Sequence, residues 1–256
     1  MNEVIGLIPA AGKAERIGPA PCSKEIYPIG LSSSSRKPQP QPMASCQYVL
    51  EAMRFAGIRK LCIVLRSGKW DIPSYLSALN PMMSISYLVM ETSPGVPYTL
   101  DHAYPFLKDS PVAFGFPDLV FHGKDVFAKL LARQRRSRAD LLLGLFAAER
   151  PDQLDMVRVN GAGAVKEIRI KPKKTRLRYT WGVALWTPVF TEFLHSHLAI
   201  VSKRSAQTGE ISVGHIFQAA IRHKLRIEAI PVSEASYIDI GTPGGLRKAL
   251  RQFAAS

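Results

Sequence analysis

Apolar residues fall in short bursts along this chain, and between the bursts the spacing turns helical. Val4–Pro9 is an apolar run that empties into a loop of small and basic residues, Ala10–Lys24. Cys46–Ala56 places Val49, Leu50, Met53 and Phe55 at helical spacing, with Gly57 as a C′ stop. Leu61–Leu65 reads as a short buried strand. Ile72–Leu79 is a brief helix with Pro73 in its first turn, and Ser84–Met90 is a loosely alternating strand. A loop over Glu91–Pro97 leads to a helix over Tyr98–Leu107. Strand Val112–Phe116 then ends at Pro117-Asp118. Asp125–Arg136 is a helix and Leu141–Phe146 an apolar strand. Met156–Val159 and Val165–Ile170 flank Asn160-Gly161-Ala162-Gly163, a hairpin signal. Thr180–Trp186 reads as a strand, Pro188–His197 and Ile211–His223 as helices, Leu225–Ile230 as a strand and Thr242–Phe253 as the closing helix.

Strand and helix thus alternate through the first half, which predicts an α/β fold with a mixed, mostly parallel central sheet covered on both faces. Leu31–Pro42, LSSSSRKPQPQP, is polar and proline-laced and reads as a flexible surface insertion. Neither an internal repeat nor a second domain is visible, so residues 1–256 read as one domain.

Composition narrows the class. A chain of 256 residues, 46% hydrophobic, can bury a substantial core. Its mean hydropathy is near zero and no apolar run approaches the roughly 20 residues of a membrane span. Val4–Ala11 is too short for a signal peptide and lacks a basic lead, so a cytoplasmic location is expected. Cys22, Cys46 and Cys62 are odd in number and widely spaced, which suits reduced thiols. Net charge is +14, a field that draws nucleotides, sugar phosphates or nucleic acid. It is densest over Arg158–Arg178, where eight basic residues meet only Glu167. The arginines at 133, 135, 136 and 138 suit a helix C-terminus, where the dipole favours cations.

A strand opening into a small, basic loop offers bare backbone N–H groups and cations together, which suits a polyphosphate. The loop is no P-loop, and Gly12 and Gly18 lie six residues apart, so it is no dinucleotide fingerprint. In an open α/β sheet, ligands gather beyond the carboxyl ends of the strands. Asp118 and Asp239 fall at two such ends and could share one hard divalent cation. Read singly, each could as well serve a turn or cap.

These residues resemble the sugar nucleotidyltransferases, the sugar-1-phosphate thymidylyl- and uridylyltransferases of GT-A-like fold, from Val4 to about Leu250. The resemblance rests on Gly6–Pro9 with Ala10–Arg16, Ser23-Lys24-Glu25 with Pro28, Gln47-Tyr48-Val49 leading to Ala56-Gly57-Ile58, and Phe116-Pro117-Asp118. It continues through Ile170-Lys171-Pro172, Gly182 in YTWGVALW, and Asp239-Ile240-Gly241-Thr242-Pro243. It implies a three-layer, Rossmann-like fold and an enzyme joining a nucleoside triphosphate (NTP) and a sugar 1-phosphate to give an NDP-sugar and pyrophosphate. It implies that Ala10, Ala11, Gly12 and Lys13 hold the nucleotide with Arg16 and Lys24, while Glu91 and Gly95 lie in the base-contacting loop. Asp118 and Asp239 would coordinate Mg²⁺. Lys171 would meet the sugar phosphate, and Gly182 would let the sugar approach its strand. The chain departs from the family pattern in Ala11 and Ala14 where glycines are usual, and in Ile170 where an acidic residue commonly stands. The base loop ETSPGVPYTL and His215, where an aspartate is common, also depart from it.

Other readings stay open. The same fold could serve a non-sugar phosphate acceptor, which Ile170 motivates, or a non-catalytic nucleotide- or nucleic-acid-binding protein, which the charge motivates. The chain lacks the aromatic-plus-basic spacing of base-stacking surfaces, which argues against nucleic acid. Trp181, Trp186 and Phe190 suit either a sugar platform or the core. Lys173, Lys174, Arg176 and Arg178 suit either a substrate-steering rim or a solvated loop. His195 and His197 have poor geometry for one metal. A homo-oligomer is compatible with all of this.

Overall fold

The computed structural model describes residues 3–34, 37–79, 82–204 and 211–253. The elements run β1 (Ile5–Ala10), β2 (Pro28–Ser34), β3 (Lys37–Ala44), α1 (Ser45–Phe55), β4 (Lys60–Arg66), α2 (Asp71–Leu79) and β5 (Ser84–Met90). Next come α3 (Val96–Asp101), α4 (Tyr104–Leu107), β6 (Val112–Gly115), β7 (Leu119–Val120), α5 (Val126–Gln134) and β8 (Leu141–Ala147). The chain continues with β9 (Met156–Val159), β10 (Val165–Arg169), β11 (Tyr179–Trp186), α6 (Pro188–Arg204) and α7 (Val213–Arg222). It closes with β12 (Ile227–Ser233), β13 (Ile238–Asp239) and α8 (Pro243–Phe253).

Among the described residues nine strands form one mixed sheet, with the path β10-β9-β11-β6-β1-β4-β5 and with β8 and β12 stepping off β11. The pairs β1–β4, β1–β6, β4–β5 and β8–β12 are parallel, while β11 runs antiparallel to β6, β8 and β9. Successive side chains on a strand point to opposite faces, and β1 shows the consequence. Leu7 packs with Phe114, Trp186, Phe190 and Phe217 on one side of the sheet. Ile8 packs with Val49, Met53, Ile63 and Phe127 on the other. The fold is therefore a sheet between two helical layers, as the alternating pattern predicts.

Several elements differ from the sequence expectation. The insertion over Leu31–Pro42, expected as a flexible surface loop, lies largely within an antiparallel strand pair, with Leu31 opposite Pro42 and Ser32 opposite Gln41. Periodicity does not reveal it, because the pairing uses backbone groups and its sequence carries few apolar residues. The helix expected over Tyr98–Leu107 is broken into α3 and α4, since Pro105 has no N–H to continue the ladder from Asp101. The helix expected to end at His197 runs on to Arg204. Two-residue strands β7 and β13 are too short to carry a pattern, yet they pair antiparallel to each other. The hairpin at Asn160 forms as expected: Asn160 Oδ1 accepts from the N–H groups of Ala162 and Ala164.

Candidate active site

Two β-ends and one turn build the acidic corner of the site. Asp118 immediately precedes β7, and β13 ends at Asp239, which lies opposite Leu119. The amide of Ile240 donates to the Asp118 carbonyl at 3.1 Å, so the two aspartates are stapled side by side although 121 positions apart in sequence. Gly241 donates its N–H to Asp239 Oδ1 at 2.7 Å. A Cβ on Gly241 would lie 2.9 Å from Asp239 Oδ1, 3.1 Å from Arg16 Nη2 and 3.3 Å from Asp118 Oδ2. Both carboxylates and the Arg16 guanidinium thus converge on one point.

Lys24 answers the acidic pair. Its Nζ contacts Asp118 Oδ2 at 2.5 Å, while Arg16 stands 3.9 Å from Asp239 and is largely exposed. Lys24 belongs to a single 3₁₀ turn held on three sides. The Ser23 N–H and hydroxyl bond Asp71 at the start of α2 at 2.7 and 2.8 Å. The Ser45 hydroxyl donates to the carbonyls of Lys24 and Glu25, each at 2.8 Å. Beneath, Lys69 donates to the buried Glu25 carboxylate at 2.7 Å. Burial works against the Lys24 ammonium, but Asp118 and Glu25 outweigh it and keep its pKa above the ordinary value. Burial, and then the neighbouring Asp118, push Asp239 up, with Lys24 and Arg16 pulling the other way. Two adjacent carboxylates flanked by cations, one of them pushed up by burial and by its neighbour, suit a divalent ion. Mg²⁺ characteristically takes one or two carboxylates and completes its shell with water and phosphate oxygens. Asp118 and Asp239 therefore fit such an ion, and no group of three or more acidic, His or Cys ligands occurs among the described residues.

The pair opens on a cavity of about 800 Å³, within the range for small-molecule sites. Of the residues singled out from sequence, Ala11, Gly12, Lys13, Arg16, Lys24, Gly95, Asp118, Lys171 and Asp239 line it. Ala10, Glu91 and Gly182 are absent from its lining. Ala10 is buried at the end of β1 and Glu91 is exposed beyond β5. A Cβ at Gly182 would meet Phe146 and Tyr237 at 2.9 to 3.0 Å, and Tyr237 itself lines the cavity. Of the two alanines that stand where glycines are usual, Ala11 is buried and Ala14 takes a left-handed φ of 59°, a conformation glycine adopts more easily. Gly95, at φ 150°, opens the α3 turn, where the Ser93 hydroxyl sits 2.6 Å from that of Thr99. Both residues line the cavity.

Sequence reasoning missed Asp155, which lines the cavity beside Lys171 and Trp181. It sits just before β9 in a stretch with no motif, and only its fold neighbours reveal it. Burial raises its pKa, against the opposing effect of Lys171 and His215. Lys171 takes a left-handed φ of 39°. His215 serves as a cap: the Ser212 N–H donates to its Nδ1 at 3.1 Å. Trp186 and Phe190 are core residues, with Trp186 Nε1 donating to Thr191 Oγ1 at 3.0 Å. His195 pairs with Asp101 at 2.9 Å, apart from the cavity. All three cysteines are free, and burial pushes Cys46 up to about 12.

The sequence matches the nucleotidyl transferase family over residues 6–256. The chain belongs to that family. No functionally curated protein matches it. Among solved structures, a UDP-glucose pyrophosphorylase from Acinetobacter baumanii superposes with a TM-score of 0.76 at 18% identity, over 99% of this chain and 93% of that one. A UDP-glucose pyrophosphorylase solved with UDP-glucose gives 0.76 at 18%, over 99% and 98%. The inositol-1-phosphate CTP transferase of T. maritima gives 0.75 at 14%, over 99% and 97%. At these identities the likeness establishes a shared fold. No helix among the described residues is long and apolar enough to cross a membrane.

Proposed function

We propose that this nucleotidyl transferase joins an NTP to a sugar 1-phosphate, releasing pyrophosphate and leaving an NDP-sugar. The observation that carries the reading is the convergence of Asp118, Asp239, Arg16 and Lys24 at one end of a cavity that Lys171 also lines. The triphosphate lies along Ala11–Arg16 and Lys24, the base lies toward Ser93–Thr99, and the acceptor phosphate meets Lys171. Glu91 and Gly182 are not among the residues that line the cavity and are left out of this scheme.

An acceptor phosphate oxygen attacks the α-phosphorus, and pyrophosphate departs in line. The acceptor is already ionised near neutral pH, so no general base is required and positioning and charge neutralisation do the work. Lys24 and Arg16 offset the charge of the triphosphate, and Lys171 holds the nucleophile against the repulsion of a second anion. The Lys24 turn, anchored by Asp71, Ser45 and Glu25, keeps its ammonium in place before substrate arrives, so little reorganisation is needed. A Mg²⁺ ion held by Asp118 and Asp239 would supply further neutralisation of phosphate oxygens. A location in the cytoplasm, where both substrates are made, accords with this activity.

The test is a pyrophosphate-release assay with each NTP, Mg²⁺ and a panel of sugar 1-phosphates, using Asp118→Ala as control. Release above that control for at least one pairing supports the proposal, and its absence for every pairing refutes it. A second reading, a phosphorylated polyol as acceptor, draws on Ile170 and on the likeness in fold to an inositol-1-phosphate CTP transferase. Turnover of inositol 1-phosphate with no sugar 1-phosphate accepted would favour it.

A further inference from the structure

The cavity wall beside Lys171 carries two polar atoms that the nucleotide reading leaves unused. Asp155 Oδ1 and Trp181 Nε1 are buried and have no hydrogen-bond partner among the described residues. Both residues line the cavity, and Trp181 is 6% exposed. Leaving a buried donor or acceptor unpaired is costly, so two orphans on residues that line one cavity point to a ligand that can satisfy both.

The fold provides for this carboxylate. A Cβ at Gly214, in the first turn of α7, would lie 2.2 Å from Asp155 Oδ2 and 2.7 Å from Ile170 Cδ1, so only glycine leaves the space that Asp155 occupies. Behind it, the Thr180 hydroxyl donates to the Asp155 carbonyl at 2.9 Å and ties the residue to β11. Trp181 packs edge-on against Phe217 at a ring distance of 4.8 Å. The last torsion of each side chain is soft, so a modest rotation presents Oδ1 and Nε1 to the cavity their residues already line.

The chemistry of the pair selects the ligand. A carboxylate needs a donor and an indole N–H needs an acceptor, and a hydroxyl is both. A second phosphate would be repelled by Asp155, and an ammonium by Lys171 close by. We propose that Asp155 and Trp181 are the specificity-determining residues of the acceptor end, recognising hydroxyl groups of a polyhydroxylated phosphomonoester whose phosphate Lys171 holds. This rests on the nucleotidyl-transfer reading and deepens it. It also gives the acceptor wall a carboxylate beside Ile170, a position that has none of its own.

The experiment compares wild type, Trp181→Phe and Asp155→Ala on glucose 1-phosphate, its 2-, 3-, 4- and 6-deoxy analogues, and myo-inositol 1-phosphate. Thermal midpoints confirm folding, and Trp181→Phe, which removes only the N–H and part of the ring, carries the test if Asp155→Ala fails to fold. Wild type is expected to prefer a parent acceptor over at least one analogue lacking a hydroxyl. Each variant should lose about 10- to 100-fold in kcat/KM on the parent and far less on that analogue, with KM for the NTP unchanged. Folded variants that keep the wild-type preference overturn the inference while leaving the transfer reading intact. A wild type that turns over none of these phosphomonoesters overturns the inference, and overturns the transfer reading as well when every other sugar 1-phosphate of the panel is also refused.

Discussion

Replacing Lys24 by methionine keeps the reach of the side chain and deletes its charge. Asp118, 8% exposed, then loses the ammonium 2.5 Å away, beside an Asp239 whose pKa is already raised by burial and by Asp118 itself. Breaking a buried ion pair costs about 3–5 kcal/mol. The open cavity admits water and Arg16 remains near Asp239, so about 2–3 kcal/mol is expected here. At this chain length that corresponds to a fall in Tm of about 4–12 °C. The sign with pH follows from the carboxylates. A group whose folded pKa lies above its unfolded value destabilises the fold once ionised, and stability returns as pH falls through the folded pKa. The deficit of the variant should therefore shrink on acidification from neutral to mildly acidic pH, as Asp239, pushed up by burial and by Asp118, takes up its proton. Millimolar Mg²⁺ should raise the variant's Tm more than that of wild type, because the ion replaces the missing charge. The catalytic loss, by analogy with removing one oxyanion donor, is about 2–4 kcal/mol or roughly 30- to 1,000-fold in kcat. Thermal melts at neutral and at mildly acidic pH, with and without Mg²⁺, read the stability terms directly. A variant that melts with wild type, or whose deficit grows on acidification, would show that Lys24 does not compensate the aspartates.

Further outcomes follow from the same geometry. Asp118→Asn and Asp239→Asn should each weaken Mn²⁺ binding at least tenfold in an electron paramagnetic resonance titration; retained affinity in both would place the ion elsewhere. Lys171→Ala should raise KM for the acceptor far more than KM for the NTP, and the reverse pattern in steady-state kinetics would reassign Lys171 to the nucleotide. Glu25→Gln leaves Lys69 buried without its charged partner, so denaturant unfolding should show a loss of about 3 kcal/mol or more, whereas an unchanged midpoint would remove Glu25 from the support of the Lys24 turn. Gly245→Ala would set a Cβ 1.9 Å from the Asp239 carbonyl; circular dichroism should register a destabilised α8 start together with weakened Mn²⁺ binding, and intact binding would contradict the staple.

The fold class was legible because the sheet buries both faces, so strands such as Leu141–Ala147 appear as continuous apolar runs and their covering helices as amphipathic ones. What periodicity missed was held by backbone pairing or by a single residue: the strands flanking residues 35–36, the two-residue β7 and β13, and the break at Pro105. At the site, Asp118 and Asp239 could be named because each follows a strand and precedes a turn. Their strand-end positions suggested a shared cation, the resemblance strengthened that expectation, and the β7–β13 pairing accounts for their meeting. Glu91 and Gly182 were named by motif position and lie off the cavity, since motif position fixes the chain path but not which way a residue packs. Asp155 stayed hidden because its importance comes from Gly214, 59 residues away.

The central claim is that this cavity exchanges pyrophosphate for a phosphorylated acceptor on a nucleotide. Running the reaction backwards tests it most directly: NDP-sugars of each base, and CDP-inositol, are incubated with ³²P-labelled pyrophosphate, Mg²⁺ and the enzyme, and label is followed into NTP. Label entering an NTP with wild type, and lost with Asp118→Ala, is the result expected. No labelled NTP from any donor, or equal labelling by the variant, would contradict the account.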